Sequence, residues 1–93
     1  MSHVLFPTPA FTRQLKAYAK SHPQSRKTVQ TVLEMLAVNV HAPSLQSHKL
    51  HGSLDGLWAC KAGYDLRIIF EFQVVDGVES ILLHSLGTHD QVY

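Results

Sequence analysis

The dipeptide Asp76-Gly77 lies between two runs that alternate apolar and polar residues, and it constrains this chain more than any other feature. Asp-Gly favours the two-residue turn whose twist suits a tight β-hairpin. Upstream, Leu66, Ile68, Phe70 and Phe72 alternate with Arg67, Glu71 and Gln73, which reads as a strand over Asp65–Val74. Downstream, Val78–Leu86 reads as its partner. Counting outward from the turn sets Phe72 opposite Ile81 and Phe70 opposite Leu83, so the large apolar residues share a face. A slip of one residue would turn that whole set outward, so the pattern specifies the register.

A hairpin alone is marginal and needs further layers. Leu57–Ala62 reads as a third strand, joined through a turn at Gly63-Tyr64. A three-residue turn sets Lys61 opposite Asp65 with Arg67 on the same face; a two-residue turn sends Lys61 to the other face from Asp65. The three-residue turn is the expectation. At the other end of the chain, Val4-Leu5-Phe6 reads as a short strand stopped by Pro7. Thr8-Pro9 then starts a helix, with a hydroxyl at the N-cap and proline at the first helical position. Phe11, Leu15 and Tyr18 form its apolar stripe through about Lys20, and Ser21-His22-Pro23 breaks it. A second helix is predicted over Gln24 to Val40, with Val29, Val32, Leu33, Leu36 and Val40 on one face. From His41 to Gly56, Pro43, Ser44, Ser47, Gly52 and Ser53 argue against regular structure. The predicted order is β-α-α-β-β-β: an α+β fold, with an antiparallel meander packed against an N-terminal helical hairpin, in one domain over residues 1–93.

Hydrophobic residues make up 45% of the chain, enough for a core. A domain of this length still buries only about 60–65% of its unfolded surface. The one cysteine, Cys60, excludes an intramolecular disulfide and a Cys-rich zinc site, and reads as a small buried hydrophobe. Among seven histidines only His48 and His51 stand three apart, with no acidic or cysteine ligand at a recognisable spacing; neither metal nor cofactor is expected. Trp58 and His84, each within a strand, read as packed residues. No apolar run approaches a membrane span and MSHVLFPTPA is not a signal peptide, so the cytoplasm is the default and no membrane partner is expected.

Charge is unevenly divided. Residues 1–49 hold Arg13, Lys16, Lys20, Arg26, Lys27 and Lys49 against the single acid Glu34, a net of +5. Residues 50–93 hold Lys61 and Arg67 against six acids, a net of −4. A basic half suggests an anionic partner, although the whole chain carries only +1. The chain end, HSLGTHDQVY, is chemically loaded. Thr88 followed three residues later by Gln91 has the form of a capping box, which predicts a helical turn from His89. In such a turn His89 and Tyr93 share a face at the end of the sheet.

This order of elements, with His48-Lys49-Leu50 and Gly52 ahead of Gly56-Leu57-Trp58, resembles the RelE/ParE toxin superfamily. Gly63-Tyr64-Asp65-Leu66-Arg67-Ile68-Ile69-Phe70 and the closing Gly87-Thr88-His89 through Tyr93 strengthen the likeness, which is nearest to the YafQ branch. The specific motifs lie within residues 48–93; the N-terminal helices match in pattern only. The resemblance implies a toxin of a type II toxin–antitoxin pair, neutralised by a cognate antitoxin protein. It also implies a metal-free endoribonuclease that enters the ribosomal A site and cuts the mRNA there, by attack of a ribose 2′-hydroxyl on the adjacent phosphate.

Residue by residue, the resemblance places His48 and His89 on catalytic histidines and Asp65 on an active-site aspartate. It places Tyr93 on a terminal aromatic that stacks on a base, and Lys61 where the branch has a further histidine. His89 is then the general acid and His48 or Asp65 the base, with Lys61 stabilising phosphate charge. The branch carries an arginine late in the last strand where this chain has Ser85, which leaves Arg67 to supply that charge. Lys49 and the cluster Arg13, Lys16, Lys20, Arg26 and Lys27 would bind RNA phosphates, those of the small ribosomal subunit included. The competing reading is a non-catalytic binder on the same fold, either a ParE-like gyrase poison or a degenerate antitoxin partner.

Overall fold

The computed structural model describes residues 3–92. Strand β1 spans Val4–Pro7, helices α1 and α2 span Pro9–Ser21 and Ser25–Val38, and strands β2 to β5 span His48–Lys49, Trp58–Lys61, Leu66–Val75 and Val78–Thr88. A last helical turn, α3, spans His89–Val92. The five strands form one sheet in the order β1-β5-β4-β3-β2, antiparallel except where β1 joins β5 in parallel. The α+β architecture expected from the sequence is therefore present, with one strand more than the pattern showed.

The β4–β5 hairpin has the register that Asp76-Gly77 implied, with Phe72 opposite Ile81 and Phe70 opposite Leu83. Both turn residues sit at positive φ, 50° and 78°, as a tight hairpin of this twist requires. Beyond Phe70 the register shifts by one, because Ile69 faces Ser85 and leaves His84 as an extra residue. This β-bulge lets Leu83 and Leu86 both join the core despite their odd spacing. It also corrects one expectation: His84 is not packed among leucines but is half-exposed, its Nε2 3.2 Å from Glu71 Oε1.

One face of the sheet carries the main core, where Ile68, Phe70, Ile81 and Leu83 meet Phe11, Val29 and Leu36 of the helices. Thr8 joins the layers. Its Oγ1 accepts the Phe11 N–H at 3.1 Å, capping α1, and its hydroxyl lies 2.8 Å from the Leu83 carbonyl oxygen. Helix α2 ends at Val38, two residues before the predicted limit, yet Val40 is buried as the chain turns back. The predicted irregular stretch holds more order than expected. It contains two single-turn 3-10 helices, Pro43–Leu45 and Gly52–Leu54, and between them β2. Trp58 is half-buried, its ring centroid 6.4 Å from that of Phe70.

Cys60 is fully buried on the core face, and burial pushes its thiol up to about 12 from an ordinary 9.0, against a smaller opposing pull from Arg67. Because the folded value lies above the unfolded one, this stabilisation is complete below pH 9 and is lost as pH rises towards about 12. In the native protein Cys60 is expected to resist thiol-directed reagents near neutral pH and to react at once on unfolding. Fast labelling of native protein would contradict that burial.

The second face of the sheet carries a smaller cluster of Leu50, Ala59 and Ile69, with Val92 of α3 folded against it. Its end near Lys61 and Thr88 stays open to solvent.

Candidate functional site

Alternation along the strands sorts the candidate residues. His48 pairs with Ala59, Lys61 with Arg67, and Arg67 in turn with Gly87, so the side chains of His48, Lys61 and Arg67 share the second face, away from α1 and α2. His89 follows directly at the start of α3. Together with Gln46 they line a cavity of about 240 Å³ that holds two fixed cations and two imidazoles; among the described residues no carboxylate lines it, although Asp90 Oδ1 lies 3.6 Å from His89 Nδ1. Four of the sequence-predicted residues therefore meet, although they come from four different elements.

Local geometry sets their chemistry. Gln46 adopts a left-handed conformation, φ 49°, and its carbonyl oxygen lies 3.0 Å from His48 Nδ1. A carbonyl can only accept, so this bond places the proton on Nδ1 and the basic lone pair of neutral His48 on Nε2. Gln46 was not anticipated, and nothing in its sequence neighbourhood signals its backbone conformation. Arg67 is half-buried and anchored by Nη1 to the Leu66 carbonyl at 3.1 Å. His89 is held through its backbone, since its N–H donates to the Asp65 carbonyl at 3.2 Å. Gln91 Oε1 accepts the Thr88 N–H at 2.8 Å, which is half of the capping box that the sequence announced.

One expectation needs correction. The β3–β4 loop does hold three residues, but they are Gly63 to Asp65, so Lys61 faces Arg67 and not Asp65. The Asp65 side chain is consequently exposed in the loop and does not line the cavity, and its main-chain carbonyl accepts the His89 N–H. Lys49, next to His48 on β2, points to the opposite face, its Nζ 5.7 Å from the centroid of the Trp58 ring. Lys16, Lys20 and Arg26 come together around a depression between α1 and α2, and Arg13 and Lys27 are exposed on the same helices. Tyr93 lies outside the described residues.

A family model described as the bacterial toxin of type II toxin–antitoxin systems, YafQ, matches residues 4–93. The chain belongs to the YafQ toxin family. It is thus a type II toxin–antitoxin toxin by family. Solved structures agree in fold. The YoeB/ParE toxin from Agrobacterium tumefaciens superposes with a TM-score of 0.77 at 10% identity, over 92% of this chain and 98% of that one. The toxin of the E. coli DinJ–YafQ complex gives 0.75 at 16% identity, over 100% and 99%. That of the YoeB–YefM complex from Staphylococcus aureus gives 0.71 at 17%, over 96% and 99%. A search of curated proteins finds no significant match.

Within this YafQ-family chain, Ser85 stands opposite Ile69, two residues along the ladder from the Arg67–Gly87 pair, and does not line the cavity. Gly87 is constrained by contact, since a Cβ there would lie 2.9 Å from Gln91 Oε1 and 3.1 Å from Val92 Cγ1. Gly87→Ala is therefore expected to push α3 off the strand, costing about 1–3 kcal/mol in stability. For a nuclease that uses His89, that displacement is expected to cost about a hundredfold in activity, as misplacement by an ångström does. A melting curve together with a turnover assay checks both, and unchanged values would mean that α3 tolerates the extra methyl.

Proposed function

We propose that this chain is a metal-independent endoribonuclease that cuts mRNA held in the ribosomal A site. The observation that carries this reading is the cavity itself, where Lys61, Arg67, His48 and His89 converge, with Asp90 Oδ1 3.6 Å from His89 Nδ1. In the proposed step, His48 Nε2 takes the proton from a ribose 2′-hydroxyl and the 2′-oxygen attacks the adjacent phosphorus. His89 delivers a proton to the departing 5′-oxygen, leaving a 2′,3′-cyclic phosphate and a 5′-hydroxyl. Lys61 and Arg67 stabilise the extra negative charge of the phosphorane. Histidine suits both proton roles because its pKa lies near working pH, and each such group contributes about 10²–10⁴ in rate. With Asp65 outside the cavity, His48 is the better base. Arg67 takes the place of the arginine missing at Ser85, and Tyr93 is assigned a stacking role on a base.

The basic surface of α1 and α2 would dock on ribosomal RNA phosphates, with binding that falls as salt rises. A cognate antitoxin is the proposed protein partner, as DinJ and YefM are for the toxins in their complexes. Among the described residues no helix is long and apolar enough to cross a membrane, and the proposed site of action is the cytoplasm. The deciding experiment adds purified protein to a reconstituted translation reaction and maps mRNA 5′ ends, with naked RNA alongside. Cuts confined to ribosome-engaged message are expected. Intact message in the presence of folded, ribosome-bound protein would overturn the nuclease reading and favour a non-catalytic binder.

A further inference from the structure

A cleft of about 590 Å³ lies between α1 and the end of β5, with Gln91 and Val92 of α3 in its wall. Strand β1 covers the edge of β5 only at Ser80–Leu83. Past that point α1 substitutes for a strand. Gln14 Oε1 accepts the Leu86 N–H at 2.8 Å, and Gln91 Oε1 accepts the Thr88 N–H at 2.8 Å. Each carboxamide is thus fixed by its oxygen, while its Nε2 has no hydrogen-bond partner among the described residues. The same cleft is walled by Tyr18 and His22, whose rings stack 4.3 Å apart with 12° between their planes. Among the described residues no Asp, Glu, Lys or Arg side chain lines it.

Its surroundings are cationic on two sides. At the start of α3 lies the cavity of Lys61 and Arg67, and along α1 lies the depression of Lys16, Lys20 and Arg26. Positive charge that tracks a backbone, interrupted by an aromatic platform, is the physical signature of a surface for single-stranded nucleic acid. We infer that the cleft between α1 and β5 binds one nucleotide of the RNA strand flanking the step that is cut. This rests on the nuclease reading above and adds a subsite to it. The base stacks on the Tyr18–His22 pair, and the Gln14 and Gln91 amides donate to its carbonyl or phosphate oxygens. The phosphates on either side run towards Lys61–Arg67 and Lys16–Lys20–Arg26. An extended peptide added to β5 fits less well, because the donors of that edge at Leu86 and Thr88 are already satisfied by the two glutamines.

The test titrates isotope-labelled protein with 2′-O-methylated RNA, which cannot be cut, as a trinucleotide and as a hexanucleotide. The longer RNA is expected to bind about tenfold tighter, within the range of one stacked base. It should shift the Tyr18 and His22 ring signals and the Gln14 and Gln91 side-chain amides, and His22→Ala should lose the gain while keeping trinucleotide binding. Shifts confined to Lys61, Arg67 and His89, with no gain from length, would overturn the subsite and leave the nuclease reading standing. Silence from both regions with both RNAs would also overturn the subsite, while the nuclease reading, which expects cutting only on the ribosome, stands or falls on the mapped 5′ ends. A short acidic peptide that moves the Leu86 and Thr88 backbone amides where RNA does not would assign the cleft to strand addition and overturn the proposal.

Discussion

His89→Ala is expected to abolish mRNA cutting and the growth arrest that follows from it, lowering the rate by about 10²–10⁴ while leaving the fold intact. The side chain is exposed, and two backbone N–H groups hold this segment: that of His89 donates to the Asp65 carbonyl, and that of Thr88 to the side-chain oxygen of Gln91. Alanine keeps both bonds and favours the helical turn that follows. A variant with native circular dichroism and melting temperature but no mapped 5′ ends would fit the role of general acid. Undiminished cutting by that variant would remove His89 from the chemistry and leave Lys61 and Arg67 as an anion site without a proton donor.

Arg67→Met is expected to lower activity by about 10²–10³, the usual cost of deleting one donor aimed at developing charge. Its effect on stability should have the opposite sign. Arg67 and Lys61 face each other across the β3–β4 ladder, and like charges at directly opposed positions are destabilising by about 0.2–1 kcal/mol. Local folding preferences alone would not place two cations there, and on the proposed function the pair is a conflict tolerated for the phosphate it would bind. Removing one cation should therefore raise the melting temperature slightly while activity collapses. Arg67→Lys should recover only part of the loss, because an ammonium does not present the paired N–H groups of a guanidinium. A variant that melts lower than wild type would show that the aliphatic stem of Arg67 contributes more by packing than its charge costs. Retained activity would end the view that Arg67 compensates for Ser85.

Much of the scaffold was legible from neighbouring residues. The Asp76-Gly77 turn and the alternation around it specify the hairpin register, and Thr8-Pro9 specifies where α1 begins, because turns and caps depend on a few adjacent groups. Thr88 and Gln91 announced the terminal turn for the same reason. The bulge at His84 also left a trace, since Ile81, Leu83 and Leu86 break the period of two by one residue, but that break acquires meaning only once all three are known to reach one core. Strand β2 left no such trace. Two residues carry no periodicity, and they are extended because β3 offers them an edge.

The sequence by itself determined the elements, most of their order of pairing and the residue types available for chemistry. Tertiary structure alone decided which of those residues meet. Moving the β3–β4 loop one residue towards Asp65 sets Lys61 beside Arg67 and takes the Asp65 carboxylate out of the site. The alternation of a two-residue strand puts His48 in the cavity and Lys49 against Trp58 on the far face. Both outcomes follow from ladder register, which depends on contacts between segments distant in the chain, and a period of two converts a shift of one residue into a change of face.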